Sequence, residues 1–75
     1  MVNLVQLPAG KQGKVISIEG GTGLKNKLFN LGIREGVMIK KITGIFSHGP
    51  VVIKISQTEI ALGRGMASKI FVEPV

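Results

Sequence analysis

Gly23-Leu24-Lys25-Asn26-Lys27-Leu28-Phe29-Asn30-Leu31-Gly32-Ile33 is where this sequence departs from a period of two. Leu24, Leu28 and Leu31 recur at i, i+4 and i+7, one face of an α-helix, which leaves Lys25, Lys27 and Asn30 to face elsewhere, toward solvent. Thr22 stands where an N-cap side chain would accept a hydrogen bond from the first-turn amides. Gly32 falls at C′, where the left-handed backbone penalises a Cβ. Ile33 then sits at C″, placed to touch Leu28 at C3 as a Schellman ending requires. The stretch predicts one short helix with both ends marked.

On either side the chain alternates in short runs divided by glycine, which predicts half-buried strands. Ile16 and Ile18 share one face while Ser17 and Glu19 take the other. Val51, Ile53 and Ile55 point one way and Val52, Lys54 and Ser56 the other. Ile60 pairs with Leu62, and Ile70 with Val72, so that Phe71 between them points outward. Residues 37–43 slip phase: Val37 and Ile39 agree, and one extra residue at Lys40-Lys41, a β-bulge, would bring Ile42 back inside. Gly20-Gly21, Arg34-Glu35-Gly36 and Ser56-Gln57-Thr58 read as turns, 44–50 as the longest loop, and 64–68 as a second turn of helix. The expected architecture is mainly β: a small, partly open SH3-like barrel of about five strands with one inserted helix, a single domain over 1–75. An oligonucleotide-binding fold is the second choice.

Composition narrows the function classes. Ten Lys/Arg face four Glu and no Asp, a net charge of +6, so nucleic acid, anionic lipid and an acidic protein face are the partners that charge favours. Mean hydropathy is +0.37. Yet Lys, Gly or Ser interrupts every apolar run within a few residues, far short of the roughly 20 that a spanning helix needs. The N-terminal segment lacks the basic start and long apolar run of a signal peptide, and the expected location is cytoplasmic. With 75 residues and no cysteine, neither a disulfide nor a thiolate metal site is available, and apolar packing must carry the fold.

Catalytic chemistry finds little to use. The four glutamates are scattered and the serines lack a partnered base, so the expectation is no enzyme and no catalytic residue. His48 is the one candidate metal ligand, and a single imidazole falls short of the three or four converging ligands a metal takes. No cofactor is therefore expected. Gly20-Gly21-Thr22-Gly23-Leu24-Lys25 is a Gly-rich entry to a helix but lacks the P-loop order, and reads as a turn. A nucleic-acid-binding barrel is the rival reading. Residues 10–20, Gly10-Lys11-Gln12-Gly13-Lys14-Val15-Ile16-Ser17-Ile18-Glu19-Gly20, resemble the Gly-punctuated strand of small KOW-type RNA-binding barrels, but three Phe with no Trp or Tyr make a thin stacking platform.

Several segments in order resemble one family. Leu7-Pro8-Ala9-Gly10 and Gly13-Lys14-Val15 are followed by Leu28-Phe29-Asn30-Leu31-Gly32-Ile33 and Gly36. Gly49-Pro50-Val51, Ile60-Ala61-Leu62-Gly63-Arg64, Ala67 and Ile70-Phe71-Val72 complete the series. Together they resemble the ferrous-iron transport protein A (FeoA) family over nearly the whole chain. The resemblance implies an SH3-like barrel with an inserted helix, and a cytosolic accessory role in bacterial iron homeostasis. It further implies action on the ferrous-iron permease FeoB, at its cytoplasmic GTP-binding portion or its membrane base, with contact to the membrane only through that partner. Transition-metal binding is a property at the family level. A related domain also ends iron-dependent repressors of the diphtheria-toxin type, whose DNA-binding helices have no counterpart here. The expected partner-binding residues are Lys25, Lys27, Asn30, Phe46 and Phe71, on a monomer that binds no nucleic acid. Gly32, Gly36, Leu24, Leu28 and Leu31 are the expected structural positions.

Overall fold

The computed structural model describes residues 1–43 and 49–75. Among them lie strands β1 (Val2–Asn3), β2 (Gln12–Ile18), β3 (Met38–Thr43), β4 (Val51–Ile55), β5 (Thr58–Leu62) and β6 (Ile70–Pro74), with helices α1 (Thr22–Asn30) and α2 (Arg64–Ala67). All strand pairs are antiparallel, in the order β1-β6-β2-β3-β4-β5. The class is mainly β, as the alternation predicts. One strand exceeds the expected count, because two-residue β1 is too short to show a period. It pairs Val2 with Val72 and Asn3 with Phe71. The sheet does not close: β1 and β5 end the order.

The inward faces of β4, β5 and β6 follow the expected phase. Val51, Ile53, Leu62, Ile70 and Val72 are buried, and Ile55 and Ile60 pack against them. The 56–57 turn joins β4 to β5, with Ser56 at φ 56°. Leu4 and Leu7, in the turn after β1, complete one side of the core. That turn is tied by reciprocal side-chain bonds: the Gln6 amide donates to Asn3 Oδ1 (2.9 Å) and the Asn3 amide to Gln6 Oε1 (3.1 Å). At Gly13, β2 crosses so close to β6 that a Cβ would stand 2.7 Å from Val72 Cγ2.

Two bulges shift the phase, one in β2 where the alternation was read as continuous and one in β3 where a bulge was expected. Val15 pairs with Val72, then the register slips, and Ser17 pairs with Phe71 and Ile18 with Ile70. Ile16 is the extra residue. It is therefore exposed, Val15 is buried in its place, and Ile18 is only half-buried. The second bulge falls one residue later than expected. Lys41 pairs with Ile53 and Thr43 with Val52, so Ile42 is the extra residue and stays outside. Lys41, in phase with Ile39, is carried inward instead and is 3% exposed.

Helix α1 differs from expectation at its start and matches it at its end. Gly21 is the N-cap, with no side-chain cap bond, and Thr22 is the first helical residue. At the other end the Gly32 amide donates to the Phe29 carbonyl (2.9 Å) and the Ile33 amide to the Leu28 carbonyl (2.8 Å), the paired bonds of a Schellman motif. Gly32 has φ +89°. Leu28 is fully buried and Leu24 packs against the core, but Leu31 is exposed. As the C-cap, Leu31 ends the helical stripe, and the chain reversal at Gly32 lets Ile33 take the buried place instead. A Cβ on Gly32 would meet no atom within 4 Å, so Gly32→Ala isolates the backbone cost of the left-handed conformation. A loss of about 1 kcal/mol is expected in chemical denaturation. Unchanged stability would contradict the assignment. The 34–37 turn also needs its glycine: Gly36 has φ +92° and donates to the Val15 carbonyl (2.8 Å), seating the turn against β2.

Candidate docking surface

The Schellman ending sets what α1 presents. With Leu28 inward, the next residue, Phe29, is rotated by about 100° off the core stripe. It is left 54% exposed, more than any other residue of the chain's helices and strands among the exposed large hydrophobics. The buried Ile33 then fixes the direction of the following turn, which returns Arg34 over the aromatic ring. The guanidinium carbon lies 4.8 Å from the ring centroid, within cation–π range. Ile18, Lys25, Phe29, Ile33, Arg34 and Glu35 line one shallow groove beside the helix. Its floor is apolar, two cations and one carboxylate edge it, and nothing in it offers a nucleophile and base in partnership.

Lys25, Lys27 and Asn30 are all exposed, but they do not form one patch. At 100° per residue Lys25 and Lys27 stand about 160° apart around the helix. Lys25 shares the groove with Phe29, one turn along, whereas Lys27 lies on the opposite flank, one turn before the exposed Leu31. Phe71 is half-buried on the outer face of β6, opposite Asn3 and Ser17, and does not line the groove. Phe46 and His48 lie outside the described residues. Phe29 and Arg34 are the site residues that the sequence reading passed over. The signal for Phe29 was available: an aromatic directly after the core leucine of a helix is turned away from the core. Arg34 had none, because its place over the ring depends on how the chain reverses at Gly32.

A second exposed surface crosses the outer face of the sheet. Gln12, Lys40, Lys54 and Glu59 form one cross-strand row through successive ladder partners, with Met38 and Ile42 beside it. The like charges of Lys40 and Lys54 oppose each other directly, which is unfavourable, and Glu59 beyond Lys54 offsets part of it. Among the described residues no three His, Cys, Asp or Glu come together to hold a metal ion. The donor set does not build a transition-metal centre from these residues.

Comparison with known proteins gives a consistent result. The family model described as the FeoA domain matches residues 2–74. A protein of Methanocaldococcus jannaschii assigned as an Fe(2+) transport protein A is 39% identical over 64 residues, 85% of this chain and 76% of that one. The crystal structure of an iron uptake regulatory protein, FeoA, superposes with a TM-score of 0.89 at 30% identity, over 99% of this chain and 96% of the other. Zinc-complexed FeoA of Stenotrophomonas maltophilia, described as an SH3 domain protein, matches with a TM-score of 0.82 at 21% identity, over 97% and 91% of the two chains. That last likeness bears on the fold, which is SH3-like.

Proposed function

The chain belongs to the FeoA family, and from that membership we propose that it is a non-enzymatic, cytosolic accessory of ferrous-iron uptake that works by docking on the FeoB permease. The cytoplasmic GTP-binding portion of the permease or its membrane base is the surface it meets. The observation that carries the reading is Phe29, an exposed aromatic held in place by Arg34 at the edge of a groove with an apolar floor and a charged rim. An aromatic anchor inside a charged rim is a common composition of an interface centre. Among the described residues no helix is long and apolar enough to cross a membrane.

Rim charges act mainly on association, and their effect fades as salt screens them. Lys25→Glu is expected to weaken binding to the permease's cytoplasmic domain several-fold at low ionic strength, with the difference shrinking as salt rises. Lys27→Glu, on the opposite flank of α1, is expected to have the smaller effect, and both variants should melt like the parent. Titration of the two single variants across a salt series makes the comparison. Parental affinity for Lys25→Glu at every salt concentration would remove this groove as the docking surface. Tight binding of RNA, with a salt slope that counts released counterions, would favour the nucleic-acid reading instead.

A further inference from the structure

The two edges of the sheet are finished differently. β1 is two residues long, and shortness is one of the ways proteins blunt an edge against further pairing. β5 is five residues long and pairs with β4 in an unbroken register. It carries none of the usual protection: no Lys or Arg, no Pro and no bulge. The two-residue turn at 56–57 sets the phase of its hydrogen bonds. Ile55 and Thr58 flank that turn as a hydrogen-bonded pair, so Thr58, Ile60 and Leu62 turn their backbone groups toward β4. Glu59 and Ala61 turn theirs to the open edge. Among the described residues nothing bonds to those N–H and C=O groups. The Glu59 and Ala61 side chains are exposed on the outer face, and Ile60, paired with Ile53 on the inner face, is only half-buried.

We infer that β5 pairs with β5 of a second copy of this chain, antiparallel and about a two-fold axis through Ile60. The backbone selects that register. With Ile60 opposite Ile60 of the second copy, Glu59 faces Ala61 of the second copy and Ala61 faces its Glu59, so every outward N–H and C=O of both strands finds a partner. Centring on Glu59 or on Ala61 leaves the other outward residue beyond the end of the opposing strand. The side chains agree. The two Ile60 meet as a non-hydrogen-bonded pair, the closer kind, and each covers the exposed part of the other. A centre on Glu59 would oppose two carboxylates, whereas the Ile60 centre sets each Glu59 against an alanine. Charge points to the same strand. A chain of net charge +6 repels its copy, and least where the contacting strand has no cation, as in β5. The pairing is isologous and closes at two chains, because it consumes each β5 edge. One strand pair is smaller than the roughly 1,200–2,000 Å² of a stable interface, so the dimer is weak and concentration-dependent. The monomer expected from the sequence is its dilute state. β5 shares no residue with the Phe29 groove.

The test follows the full chain by sedimentation equilibrium and by amide spectra from micromolar to millimolar concentration. A monomer–dimer equilibrium is expected, with concentration-dependent shifts and slowed hydrogen exchange at the Glu59 and Ala61 amides. Substitutions at the exposed Ala61 read the register. Ala61→Lys places a cation opposite Glu59 of the second copy, twice per dimer, and should tighten association several-fold. Ala61→Glu opposes like charges at the same two places and should weaken it roughly tenfold. Net charge alone predicts the reverse order, because Lys adds to the +6 of each chain and Glu subtracts from it. Ala61→Pro removes an N–H that faces away from β4, a place where an edge strand tolerates proline. It should abolish the dimer while the dilute chain melts near the parental temperature. A parent that stays monomeric at millimolar concentration would overturn the proposal and leave the edge to a strand of another protein. Variants ordered by net charge, or parental dimerisation in Ala61→Pro, would overturn it as well. Concentration-dependent shifts confined to Phe29 and Arg34 would place self-association in the groove and count equally against β5. Should Ala61→Pro fail to fold, the order of Ala61→Lys and Ala61→Glu decides.

Discussion

Leu28→Ala is expected to remove about 2–5 kcal/mol of stability, the range for truncating a fully buried leucine to alanine. A chain of this length has roughly 4–11 kcal/mol in total, so the variant should sit at the margin of folding. The size of the effect follows from position. Leu28 is 0% exposed and is the one residue of α1 that is fully buried. Its carbonyl also accepts the Ile33 amide that closes the Schellman motif. The cavity left behind has little room to collapse, because Ile33 and the inward-facing core residues of the strands are themselves fully buried. Urea denaturation should show a much lower midpoint, or no cooperative transition, and Leu31→Ala provides the control. Leu31 is 40% exposed, and its truncation should cost well under half as much. Equal losses for the two would mean that α1 is not anchored through Leu28.

Phe29→Ala, one residue further on, is expected to do the opposite: to leave the fold and disable docking. The ring's contact with Arg34 is an exposed cation–π pair, worth about 0.5–1 kcal/mol, so the melting temperature should move little. An anchoring aromatic at an interface centre typically costs about 2 kcal/mol or more when truncated, a loss of roughly 30-fold in affinity. Calorimetric titration against the permease's cytoplasmic domain measures this. The salt series adds a second criterion, because the Phe29 loss should persist at high ionic strength where the Lys25 effect has faded. Parental affinity in Phe29→Ala would exclude the groove. A melting temperature that falls as far as that of Leu28→Ala would mean that Phe29 belongs to the core.

The candidate groove was only partly legible in the sequence. Lys25 was named from the helical wheel, and the same wheel places Lys27 on the other flank. Phe46 and His48 belong to the segment outside the described residues, and Phe71 sits on a different face. Arg34 enters the groove only because the chain doubles back at Gly32. No periodicity announces a contact across a reversal.

What the amino-acid order determined by itself was local. The leucine spacing and the Gly32-Ile33 pair specified where α1 ends, because a left-handed residue after a helix is a requirement of the backbone that glycine meets most cheaply. Alternation specified which residues of β4, β5 and β6 face the core, because side chains in a regular strand must alternate. Tertiary structure decided what happens where that regularity fails. Alternation holds only until a bulge, and a bulge is placed by the partner strand: β6 left Ile16 unpaired and β4 left Ile42 unpaired. Each one-residue shift exchanged inside for outside. The first buried Val15 in place of Ile16, and the second left Lys41 rather than Ile42 facing the interior. The burial of Lys41, with its ammonium donating to the Val5 carbonyl, is a property of strand pairing that no single segment encodes.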